Sequence, residues 1–282
     1  MRGSLLAELL KLRKRPATWL IGAVFVVLGL VFGYVFPYLS YRGSAASNGQ
    51  INGSAGELLA SVLPASLVPS TLGGWPLFGG ALALVLGALV TGSEYGWGTL
   101  KTILTQRPGR FTVLGAKLAA TAVVTGIMVT TSMAVDAGAS LAIAAVEDRA
   151  IDWPPLLELV QGVAAGWLIV TMWCAVGMFL GTVLRGTALP IGFGLVWALV
   201  VEQLVRGFAT TLDVLDAIQL WLPGTNAGAL VAALGAATQE QSAGTPGVSD
   251  VVGGTHATLV VAGYLVAVAA ATAFVLRRRD VT

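Results

Sequence analysis

The stretch Gly92-Ser-Glu-Tyr-Gly-Trp-Gly-Thr-Leu-Lys-Thr-Ile-Leu-Thr-Gln-Arg-Pro-Gly-Arg110 decides how this chain is read. It is a polar interruption between two long apolar runs. On a helix beginning near Gly96, the side chains of Trp97, Leu100, Ile103 and Leu104 share one face, while Thr99, Lys101, Thr102 and Gln106 point elsewhere. Glu94 precedes this short helix, and Arg107 and Arg110 close it. An amphipathic helix between two apolar runs lies flat on a membrane surface.

The flanking composition supports a membrane setting. The chain has 282 residues, 56% hydrophobic and 11% charged, with a mean hydropathy of +0.84. Soluble domains carry about 25% charged residues, so this chain cannot cover a watery surface and the bilayer is its solvent. Its 36 glycines are embedded in apolar runs, as suits membrane helices. A net charge of +2 gives no footprint for nucleic acid. The lone cysteine, Cys174, excludes an internal disulfide framework and a cysteine metal cluster. It reads as a packed thiol.

A spanning helix needs about 20 mostly apolar residues. Six such runs are expected, near 18–36, 77–91, 111–146, 159–184, 188–205 and 255–276. The runs lack the period-two alternation of a barrel, so the fold class is an all-α membrane protein. Thirteen of the 16 basic residues then fall on one side, including Lys11, Lys101, Arg107, Lys117, Arg185 and Arg277. By the positive-inside rule both termini and the 93–110 segment are cytoplasmic. The first run is read as an uncleaved span rather than a signal peptide. Residues 1–17, with leucines at 5, 6, 9, 10 and 12, form an amphipathic helix on anionic lipid. Residues 207–254, broken at Pro223-Gly224, form an extracellular re-entrant segment, with 230–234 packing into the outer leaflet. The whole chain, 1–282, is one transmembrane domain.

Residues 94–105, then Arg-Pro-Gly-Arg at 107–110 and Gly-Ala-Lys-Leu at 115–118, resemble the permease subunit of ABC-2 type ABC transporters. The resemblance covers the six-span layout, but only 94–118 is specific. It implies a homo- or heterodimeric permease in the bacterial cytoplasmic membrane. Two copies of a separate cytosolic ATPase would power it, exporting a drug, peptide, lipid or polysaccharide. No Walker A pattern occurs here, so ATP and Mg belong to the partner and this chain carries no cofactor. Under this reading 93–110 is a coupling helix, with Glu94, Tyr95, Gly98, Thr99, Leu100, Lys101 and Thr102 facing the ATPase. By pattern alone, a plain interfacial connector fits the stretch equally well. The alternative function is a secondary transporter or channel working without ATP. Its expected signs are inverted repeats and broken helices at mid-membrane.

Other residues carry weaker signals. Gly29 and Gly33, Gly162 and Gly166, and Gly177 and Gly181 are small-residue pairs that permit close helix approach. They pack internally or line a dimer seam. The resemblance favours Gly29, Gly33, Gly192 and Gly194 for the seam, because the first and fifth spans meet there. Asp136 lies 19 residues past Lys117, which puts it at the outer interface or on a translocation pathway. Glu202 and Arg206, four apart, can pair on one helix face. Glu147 and Asp148 read as a solvated loop pair. His256 is the lone histidine and has no metal partner, and no catalytic constellation is visible.

Overall fold

The computed structural model describes residues 2–48, 53–96, 109–209, 211–241 and 244–278. Among these the fold is helical, without strands. Six helices are long and apolar enough to cross a membrane: Pro16–Ser44, Trp75–Gly96, Phe111–Val146, Leu156–Leu184, Ala188–Ala209 and Gly254–Arg278, here spans 1 to 6. All six expected runs are therefore helices. The end of the bundle carrying residues 2–14, 96 and 109 is called the terminal end, and the opposite one the far end.

Helix α1, Arg2–Lys14, precedes span 1. Its Leu5, Leu9 and Leu12, one face at helical spacing, pack on the core, while Leu6 and Leu10 stay exposed. It stops because Pro16 forces Arg15 into an extended conformation, and the proline then opens span 1 at its first helical position. Trp19 bonds the Arg13 carbonyl across the break at 2.7 Å.

Span 1 runs well past its expected end at 36, through Pro37. A proline inside an α-helix clashes with the carbonyl four residues back. Here Val31–Val35 form a π-turn, in which Phe36 N–H bonds the Val31 carbonyl. The wider turn accommodates Pro37. A second π-turn, Trp75–Gly79, holds Pro76 at the start of span 2.

Spans 2 and 4 form the centre, each 61% buried over its most apolar stretch, against 17%, 22% and 11% for spans 1, 5 and 6. Small residues allow this. A Cβ on Gly87 would fall on the Cys174 carbonyl, and one on Gly177 on that of Leu84. Backbones in direct apposition are how membrane helices gain dispersion energy without a hydrophobic drive. Thr91 adds a hydrogen bond to the Met178 carbonyl at 3.0 Å.

At the far end, Ala55–Ser61 and Pro64–Leu72 form a helix pair bent by 71°. Its first arm belongs to α2, Gly53–Ser61. Its second ends in α3, Leu67–Leu72. Between spans 5 and 6 come α4, Asp213–Gln219, and α5, Pro223–Ala232. Every residue of α5 from Pro223 to Val231 is buried. The expectation that 230–234 faces the outer leaflet is corrected in part: Leu230 and Val231 pack inside the protein, because α5 lies against span 6 and the Trp75 turn. The chain leaves α5 through Gly235 at φ +93°, a conformation that favours glycine.

Candidate functional site

At the terminal end a four-residue charge network surrounds the base of the polar stretch. Lys117, near the start of span 3, bonds Glu94 at 2.5 Å and Glu8 at 3.2 Å. Lys11 bonds Glu94 at 2.8 Å and Glu8 at 2.5 Å. Each acid thus faces two ammonium groups, and the set is neutral. Glu8, Glu94 and Lys117 are buried. Burial alone would lower the Lys11 pKa, but the bonds to Glu8 and Glu94 outweigh it and hold the ammonium above its ordinary 10.5. Arg15 adds bonds to the Leu89 carbonyl and Ser93 Oγ. Helix α1 is thereby fastened to the last turn of span 2 and to span 3, which flank residues 97–108.

Glu94 was expected to face an ATPase. Its side chain is turned into the protein, tied to Lys11 and Lys117. Tyr95 is half-buried and Gly96 exposed beside it. Gly98, Thr99, Leu100, Lys101 and Thr102 lie outside the described residues, as does Trp97. Next to this end, a cleft of about 630 Å³ opens between Gly92, Ser93 and Gly96 of span 2 and the Arg185-Gly186-Thr187 turn. Arg185 makes that turn tight by adopting a left-handed conformation at φ 52°.

The glycines expected at a seam divide. Gly29 faces span 3, where a Cβ would lie 3.3 Å from Ser132 Oγ, and Gly33 faces the Ser70 carbonyl at 3.1 Å. Both turn inward within this chain and line a cavity of about 430 Å³ walled by Phe25, Phe32, Trp75 and Phe78. Phe32 and Phe78 stack there at 5.9 Å. Gly194 packs on Leu84 and Leu180, whereas Gly192 is exposed with nothing near its Cβ position. Asp136 is fully buried within the chain. Span 3 continues ten residues beyond it, to Val146.

The far-end acids also have partners that spacing did not indicate. Glu202 and Arg206 do not bond one another. Glu202 accepts from Gly224 N–H at the start of α5, 2.8 Å, and from Trp197 Nε1, 3.2 Å, while Arg206 bonds the Gly247 carbonyl. Glu147, expected to be solvated, accepts from Tyr38 at 2.7 Å and Tyr41 at 3.2 Å and pairs with Arg42. The Tyr38 bond foremost, opposed by slight burial and helped by Tyr41 and Arg42, holds the Glu147 carboxyl below its ordinary range. The glutamate within reach of the acid-to-basic spacing, Glu8 to Lys11, was readable from α1; its reach to span 3 was not.

The family model for "ABC-2 family transporter protein" matches residues 4–281. The chain belongs to the ABC-2 transporter family. No curated protein matches it. As an ABC-2 family member the chain is a multi-pass membrane permease of the ABC type, and its six spans are the membrane part of such a transporter. Permeases of this family are transport subunits. Among the described residues no group of acids, histidines and cysteines is placed to hold a metal ion of the His/Cys/Asp/Glu type.

Proposed function

We propose that this chain is the permease subunit of an ATP-driven exporter in a bacterial cytoplasmic membrane. Residues 93–110 serve as the coupling helix on which a cytosolic ATPase pushes. The observation that supports this is the charge network at the base of that segment. A push on a segment joined only by flexible links would be lost. Here Glu94, on the near side, and Lys117, on the far side, share partners with each other and with α1. Buried, multiply bonded charges are costly to separate, so displacement of the segment carries α1, span 2 and span 3 with it.

In this reading Glu94 is a positioning residue, and Gly98, Thr99, Leu100, Lys101 and Thr102 make the ATPase contact, with Tyr95 at its edge. ATP and Mg are bound by two copies of the ATPase. A second copy of this chain or a sister permease completes the pathway. The exposed apolar faces of spans 1 and 5, including Phe32, Phe36, Phe193 and Val200, suit lipid or that second permease. The cargo is a drug, peptide or lipid-like amphipath. The aromatic cavity beside Gly29 and Gly33, with Ser66 and Thr245 also in its lining, supports a cargo with an apolar body and a polar group. Both termini face the cytoplasm, following the basic residues.

The test is purification of the tagged chain in mild detergent from its native membrane, followed by mass spectrometry. A co-purifying subunit with a Walker A motif, lost on Thr99→Trp while the permease stays monodisperse, is the expected result. A chain that carries no nucleotide-binding subunit would move the reading to a transporter working without ATP.

A further inference from the structure

Four polar side chains meet where span 1, α3 and span 3 pack together: Tyr34, Thr71, Ser132 and Asp136. Each is at most 1% exposed. Ser132 and Asp136 are one helical turn apart on the same face of span 3. Both abut Gly29, whose Cβ position is 3.3 Å from Ser132 Oγ and 4.0 Å from Asp136 Oδ2. The Thr71 hydroxyl lies beside both Asp136 and the Tyr34 phenol. Thr71 is thus within loose hydrogen-bonding reach of both, yet by strict distance and angle none of the five oxygens, two of them on Asp136, completes a hydrogen bond among the described residues.

That is unusual even within span 3. Thr121, Thr125, Thr130 and Ser140 all donate to carbonyls of their own helix. Ser132, as buried as Thr125 and Ser140 in the same helix, does not. The local backbone is also special. Tyr34 sits in the π-turn Val31–Val35, and Thr71 sits at the end of the bent helix pair. Insertions of this type recur at functional sites, and interrupted helices supply coupling-ion sites in transporters.

A bare carboxylate in this setting is too costly to persist. Among the described residues no lysine, arginine or histidine pairs with Asp136. Tyr34, from span 1, is the titratable side chain that faces it, and α3 and span 3 add only hydroxyls. A proton on Asp136 would cancel the charge but add a single donor to a cluster whose oxygens offer many more lone pairs. A metal cation would engage all of them. An all-oxygen set suits a hard cation, and a single carboxylate matches a single positive charge.

We propose that Tyr34, Thr71, Ser132 and Asp136 form a binding site for one monovalent metal cation, of the size of Na+, per chain. The site is read on the permease alone, so it stands or falls separately from the ATPase coupling proposed above.

The experiment uses the full chain in detergent. Thermal unfolding is followed while NaCl replaces choline chloride at constant ionic strength, from pH 6 to 8, with KCl as a parallel arm and 22Na+ equilibrium binding for stoichiometry. The expected result is saturable stabilisation by Na+, one bound ion per chain and loss of both in Asp136→Asn. Tyr34→Phe and Ser132→Ala, which remove one hydroxyl each, should weaken binding roughly tenfold while folding normally. Saturable stabilisation by K+ instead, with the same dependence on Asp136, supports the site and resizes its ion. Stabilisation by acid alone without any metal ion, or a Na+ effect unchanged in Tyr34→Phe, Ser132→Ala and Asp136→Asn, overturns it.

Discussion

The two ends of the bundle are fastened by different chemistry. At the terminal end, two carboxylates and two ammonium groups alternate, and each acid is shared by both lysines. At the far end, Glu202 meets a backbone N–H and an indole, and Glu147 meets two phenols and an exposed arginine. The terminal network cannot lose one member without stranding a buried charge. The far-end acids accept from mostly neutral donors, each bond worth about 1 kcal/mol. The terminal end is therefore built to move as one body, and the far end to open bond by bond.

The largest expected effect breaks the terminal end. Lys117→Met leaves Glu8 and Glu94 sharing Lys11 alone and should cost about 3–5 kcal/mol, read as a fall in the thermal midpoint of the purified chain. Next comes Glu202→Leu, which strips Gly224 N–H and Trp197 N–H of their acceptor at a cost of about 2 kcal/mol. Glu202→Gln, which keeps an acceptor oxygen, should cost less. A far-end loss larger than that of Lys117→Met would reverse the comparison.

Tyr38→Phe sharpens it further, with a fall in the midpoint smaller than that of Glu202→Leu. Because Glu147 has its carboxyl pKa depressed in the fold, its bonded form stabilises the protein above the ordinary value of 4.5. That contribution fades as pH falls through the lower folded value. The gap between the native and Tyr38→Phe midpoints should thus be open at neutral pH and close in acid. Smallest of all is Arg42→Ala, within about 0.5 kcal/mol, since Arg42 is largely exposed. High salt should mimic Arg42→Ala but leave the buried Lys117 bonds intact.

These contrasts also mark what the sequence disclosed. Six spans were legible because apolar length is a local property, and their ends erred where geometry intervened. Span 1 outran its expected end because the π-turn before Pro37 hosts the proline. The network was hidden because Glu8 and Lys117 are 109 residues apart. Glu202 and Arg206 looked like partners at helical spacing, yet a helix N-terminus 22 residues away holds Glu202. Gly29 and Gly33 read as seam residues because a small-residue pair states that something approaches closely, not what. The approaching groups are Ser132 and the Ser70 carbonyl. Asp136 was noticed as a membrane acid, but of its hydroxyl neighbours only Ser132 is local, and Tyr34 and Thr71 come from distant segments.

The central claim is that the network conveys a push from residues 97–108 into the spans. ATP hydrolysis by the purified complex in nanodiscs tests it most directly, comparing the native permease with Glu94→Gln, which weakens the network while Lys117 keeps Glu8. The account predicts that the native permease accelerates hydrolysis by its bound ATPase. Glu94→Gln should keep the ATPase bound at the same stoichiometry and return hydrolysis to the rate of the ATPase alone. Native acceleration in the Glu94→Gln complex would contradict it.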